Sequence, residues 1–230
     1  MFDMITFIPT SHGAGVRLWG TQNELRQFYE TLQHYWNPEL EAADPVELQR
    51  DNILAGFCYD IRHAFMGMRT VSLVHPVDKT PGEYYGVEIT WAHVIFYFAV
   101  LRYNMRTRAC SEEDVRLICQ AEDALKEALN KYSKKYAKEL IPFLNGAIYC
   151  ENPCLAQYME LVNYEHLRKL KYSTPKEALG RLAYEMTCAI YGTFKYEDTL
   201  AQLKKEAKRL GCEVQELTFD YSKPPYDFVW

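Results

Sequence analysis

Apolar and polar positions change rhythm several times along this chain. Ile5 to Pro9 and Val16 to Trp19 are short apolar runs on either side of Thr10-Ser-His-Gly-Ala-Gly15, the pattern of a β-hairpin. Thr21-x-x-Glu24 is a capping-box sequence. The helix it opens places Leu25, Phe28, Tyr29 and Leu32 on one face and ends before Asn37-Pro38. Glu39 to Arg50 is polar and reads as a connection, in which Asp44-Pro45-Val-Glu47 opens a short helix with Asp as cap and Pro in the first turn. A helical period then takes over from Ile53 to Arg69. Ile53, Leu54, Phe57, Cys58, Ile61, Ala64 and Phe65 fall in one arc, which marks a core-facing stripe. Alternation returns over Arg69 to His75 and again at Tyr85, Val87, Ile89 and Trp91, predicting two strands joined by the loop Pro76 to Gly82.

From Trp91 the character is helical. Val94, Ile95, Phe96, Phe98, Val100 and Leu101 make the segment to Arg108 apolar nearly all round, as in a buried central helix. Ser111 caps a long helix through Val115, Ile118, Leu125, Leu129, Tyr132 and Tyr136 that ends around Pro142 to Gly146. Leu155 to Leu170 is amphipathic. Thr174-Pro-Lys-Glu177 starts another helix that Gly192 ends, and the last one closes at Gly211. The expected fold is α+β: a small N-terminal mixed sheet of about four strands packed on helices, followed by a mostly helical bundle. Residues 1–91 form the sheet-containing part, 92–212 the helical part packed on it as one compact unit, and 213–230 an aromatic, Pro-rich tail expected to lie on the body or on a partner.

The densest polar chemistry sits on the flank of the Ile53–Arg69 stripe. Tyr59 and His63 are four residues apart and Asp60 and His63 three, so all three share one side of the helix beside Gly56. As a site, Asp60 orients His63 as a general base, Tyr59 donates a hydrogen bond, and Arg62 or Arg69 anchors an anion. The competing reading is a polar network that ties this helix to its neighbour. His93, at a strand-to-helix junction, is placed to face His63 and joins Arg62 and Arg69 as a candidate ligand- or anion-binding residue. No HxH or HExxH spacing accompanies it, so no metal and no cofactor is expected. Gly13-Ala-Gly15 lacks the Lys-Ser/Thr and the following helix of a phosphate loop. Cys150 and Cys154 have no second ligand pair and read as core thiols.

Composition narrows the function classes. Hydrophobic residues are 48% and charged residues 25%, so the chain buries an ordinary core. A net charge of −5 works against phosphate backbones, and Lys126, Lys131, Lys134, Lys135 and Lys138 read first as a solvated face. The start, MFDMITFIP, has no basic and apolar leader pattern. With seven Cys, reduced thiols and a cytoplasmic location are expected. The run from Trp91 to Leu101 is too short to span a bilayer.

Gly56-Phe-Cys-Tyr59-Asp60-Ile-Arg62-His63-Ala64, then Gly67-Met-Arg69 and a strand, resembles a family of uncharacterised bacterial proteins. There an N-terminal hairpin and helix precede a similar Tyr-Asp-x-Arg-His-Ala segment, and a strand like Tyr84-Tyr85 runs into an apolar helix. The resemblance covers residues 5–110 and implies a bacterial origin, but no reaction or ligand. The expected function is an interaction or accessory protein, a subunit or regulator of an assembly that binds a protein partner or itself. The alternatives are an enzyme acting on a small anionic or nucleotide-like substrate through Asp60 and His63, and, less favoured by the charge, a nucleic-acid-binding accessory protein.

Overall fold

The computed structural model describes residues 5–36, 44–218, 228 and 230. Strands β1 (Thr6–Pro9) and β2 (Gly15–Gly20) form the expected hairpin. Its glycines serve close packing. Gly13 has φ +76°, and a Cβ there would lie 2.2 Å from the Tyr132 hydroxyl. A Cβ on Gly15 would lie 1.9 Å from the Ile89 carbonyl oxygen. Thr21 and Glu24 close their capping box on helix α1 (Gln22–Gln33). Helix α2 (Pro45–Phe65) follows, capped by Asp44. The chain then makes β3 (Thr70–Val74) and β4 (Pro81–Thr90) and turns directly into α3 (Trp91–Thr107).

The sheet order is β1-β2-β4-β3, and every pairing is antiparallel, where a mixed sheet was expected. The helical connection after β2 delivers the chain to the far edge as β3. The return hairpin then inserts β4 antiparallel to both neighbours. Val16 faces Ile89 and Leu18 faces Val87 across β2 and β4, and all four are buried.

Helix α2 is one continuous element, where a polar connection with a short helix ahead of a separate central helix was expected. Of that connection, residues 39–43 lie outside the described residues. Two polar positions of its first turns, Gln49 and Asp51, are inside the protein. Asp51, 3% exposed, accepts from the Arg108 guanidinium at 2.9 Å and 3.0 Å, and Gln49 Oε1 accepts from the Ala156 N–H at 3.3 Å. Polarity there reports pairing, not exposure.

The remaining elements are α4 (Glu112–Tyr132), α5 (Lys134–Pro142), a π turn (Phe143–Ala147), α6 (Leu155–Leu170), α7 (Pro175–Met186) and α8 (Phe194–Leu210). The helix expected to run unbroken from Ser111 past Tyr136 stops at Ser133, whose φ of −160° is extended. The Ser133 hydroxyl accepts from the Tyr136 N–H and starts α5 afresh. On α4, Lys126 lies 2.6 Å from the wholly buried Glu122, which Arg102 also holds, and Lys131 lies 2.8 Å from Glu127. Part of the lysine face is therefore neutralised in place.

One cluster of buried side chains runs from Phe7 and Leu18 through α1 and α2 to Leu203 and Ala207 on α8. Helix α2 sits at its centre: Phe57 stacks on Tyr97 of α3 with ring centroids 4.6 Å apart and meets Phe28 of α1 edge-on at 5.9 Å. The expectation for the tail falls largely outside the described residues. Of its last ten residues Phe228 and Trp230 are described, and the Ser11 hydroxyl donates to the Trp230 main-chain oxygen at 2.9 Å. No described helix is long and apolar enough to cross a membrane.

Candidate functional site

Three helices meet around a cavity of about 820 Å³, a size that suits a small molecule. Helix α2 supplies Asn52, Ile53, Gly56, Tyr59 and Asp60 to its wall, α3 supplies His93 and Tyr97, and α6 supplies Gln157, Met159 and Glu160. Arg69, just ahead of β3, and Leu217 close the rim. The position of Gly56 matters here. A Cβ on it would meet only the Tyr97 hydroxyl, at 3.8 Å, so this wall is left open.

The expected site residues divide. Tyr59, Asp60, Arg69 and His93 come together in the cavity wall, whereas His63 and Arg62 do not line it. His63 Nδ1 turns back to the carbonyl of Tyr59, 2.8 Å away in its own helix, and its ring lies over the Tyr59 ring. Arg62 is exposed, with its guanidinium 5.9 Å from the Tyr59 ring. Asp60 takes a different partner from the one expected: the Arg69 guanidinium donates to its Oδ1 at 3.2 Å. Burial pushes the Asp60 carboxyl up from its ordinary value, opposed by the positive charge of Arg69, His93 and His63.

The counterpart of His93 is Glu160, which the sequence reading did not single out. Their Nε2 and Oε1 atoms are 3.2 Å apart, with side chains 19% and 13% exposed. The contact is an ion-pair distance without hydrogen-bond alignment, and His93 Nε2 and Glu160 Oε2 are both buried without a hydrogen-bond partner. One turn earlier on α6, Gln157 is 5% exposed. Its Nε2 donates to the carbonyls of Gln215 (2.9 Å) and Leu217 (3.4 Å), which fixes the orientation of the amide. Its Oε1 is an acceptor left without a partner. Asn163 and His166 continue the three-residue spacing of Gln157 and Glu160, which winds around α6 and does not keep to one face, so no helical stripe marks them.

The chain matches the family described as Domain of unknown function (DUF6904) over residues 5–230. It belongs to that family. No curated protein and no solved structure matches it. Among the described residues of this DUF6904 chain, no group of three or more His, Cys, Asp and Glu side chains is placed to hold a metal. The thiols are set apart from the cavity chemistry: burial pushes Cys58, Cys150 and Cys188 up to about 12, where a thiolate nucleophile is not available at neutral pH.

Proposed function

We propose that this protein binds a small molecule in the cavity between α2, α3 and α6 and acts on it by acid–base chemistry, in the bacterial cytoplasm that the sequence leads us to expect. The observation that carries the reading is the His93–Glu160 pair: two titratable side chains, 3.2 Å apart and largely buried, in the wall of an 820 Å³ cavity. A carboxylate and an imidazole this close to one another are a pair that can take up and give back a proton on a bound ligand. Asp60 adds a carboxyl displaced by its burial, a feature that clusters at functional sites. His93 and Glu160 thus take the acid–base roles first given to His63 and Asp60. A fragment set screened by protein-observed NMR tests this. Resonances of residues 52–60, 93–97 and 156–160 are expected to move together for some fragments, and hits that perturb only other surfaces would reject the site.

A second reading, the interaction or accessory protein, has its own observation. Strand β3 is a sheet edge, and Val71, Leu73, Val74 and Val77 stand exposed beside Met66 and Met68, Leu73 at 77%. An exposed apolar edge strand is a template for strand addition by a protein partner or a second copy. A concentration-dependent molar mass by light scattering that Leu73→Lys abolishes would support self-association. A monomer at every concentration that also captures no partner would set the reading aside.

A further inference from the structure

We infer that the ligand of the α2–α3–α6 cavity is a small organic cation rich in N–H donors, of the amine, amidine or guanidine class. This rests on the reading of that cavity as a binding site and specifies its occupant. The charge balance comes first. Two carboxylates, Asp60 and Glu160, and one guanidinium, Arg69, line the cavity, and Arg69 is committed to Asp60 at 3.2 Å. Glu160 is left with an imidazole that is not aligned to donate to it.

The hydrogen-bonding inventory points the same way. Glu160 and Gln157 lie three residues apart on α6 and are neighbours on its surface. Each holds an acceptor without a partner, Glu160 Oε2 and Gln157 Oε1, both buried and neither open to the cavity as it stands. The Gln157 amide cannot turn to offer its N–H groups instead, because two carbonyls hold them. The terminal torsion of Glu160 is soft, so either of its oxygens can rotate toward the cavity. Two unpartnered acceptors stand here against the one unpartnered His93 Nε2, and a planar amidinium or guanidinium brings two N–H groups in the geometry a carboxylate accepts. Ile53, Met159 and the Tyr97 ring offer apolar surface for the body of such a ligand. An anionic ligand would meet Glu160 instead of a free cation.

Benzamidine, benzamide and benzoate share one shape and differ in charge, and titrating each into the full-length protein by NMR and calorimetry tests the inference. Benzamidine is expected to bind with shifts in residues 52–60, 93–97 and 156–160, and Glu160→Gln to weaken it at least about tenfold, or about 1.4 kcal/mol. His93→Leu, which removes the imidazole beside Glu160 Oε1 and puts no donor in its place, is expected to strengthen it. These opposite responses would not come from a general loss of packing, and amide spectra of both variants check that each is folded. Benzoate or benzamide binding in the cavity in place of benzamidine would overturn the cation inference and leave the site standing. Failure of all three probes there, where other fragments bind, would also overturn it. Failure of every fragment would remove site and inference together.

Discussion

His166 gives the sharpest test of how this core is built. It lies on α6 with no exposed surface, its ring against the backbone of Gly13, Ala14 and Ala178, and neither ring nitrogen has an aligned hydrogen-bond partner. Burial, only partly offset by those backbone groups, lowers its pKa from 6.5 to about 4. The unfolded chain therefore binds a proton between these two values that the native protein does not. Stability from this residue is complete above pH 6.5 and is lost as pH falls toward 4. The shift corresponds to about 3 kcal/mol in full, and roughly 2 kcal/mol of it is gone by pH 5. His166→Leu removes the titration and leaves no orphaned polar atom at the position. Urea unfolding at pH 7.5 and pH 5 should show the variant gaining on wild type by roughly 2 kcal/mol between the two conditions. Asp78, Asp114, Glu177 and Glu206, whose carboxyls are held low by hydrogen bonds, and Asp60, whose carboxyl is raised, are present in both proteins and cancel in the difference. Parallel pH profiles for wild type and variant would show that the imidazole is not held neutral by burial.

Three further outcomes can be measured. Gly13→Ala places a methyl 2.2 Å from the Tyr132 hydroxyl and 2.5 Å from Pro175 Cβ at a positive φ, and should cost about 2 kcal/mol or more in chemical denaturation. Arg108→Leu withdraws the guanidinium from Asp51, 3% exposed, and from Glu47, and should cost about 3 kcal/mol at pH 7, less in acid where Asp51 takes up a proton. Arg69→Gln removes the group that most strongly opposes the rise of Asp60, so the carbon-detected titration of Asp60 should move further upward.

The parts of this protein legible in its sequence are those where a local rule and the global fold agree. Thr21 with Glu24 and Thr174 with Glu177 announce their helices because a capping box is satisfied within four residues of chain. The stripe from Ile53 to Phe65 is buried because its period carries the packing. What escaped reading depends on partners distant in sequence. Gln49 and Asp51 look like surface residues until Ala156 and Arg108 arrive from the helical half. Asp60 and His63 are neighbours along a helix, yet Asp60 bonds Arg69 and His63 bonds its own backbone. His93 finds its counterpart 67 positions away, and no spacing rule within α3 can name Glu160.

That counterpart raises the question of why α6 turns so many polar side chains inward, on more than one of its sides. Gln157, Glu160, Asn163 and His166 recur every third position, and each holds at least one buried atom without a hydrogen-bond partner. Among the described residues no other helix carries more than two such side chains. Each orphaned group costs about 1–3 kcal/mol, more where it is charged, so a helix selected for stability alone would carry apolar side chains there. Positions that break a local rule without a structural return are expected where function sets the residue. Glu160 is the clearest case, because its described neighbour His93 has no aligned hydrogen bond to lose. Glu160→Met, close to it in volume, should therefore raise stability by about 1 kcal/mol or more in urea unfolding at pH 7, while benzamidine binding disappears. A less stable variant would mean that the carboxylate is there to hold α3 to α6, and its place on α6 would then be architecture.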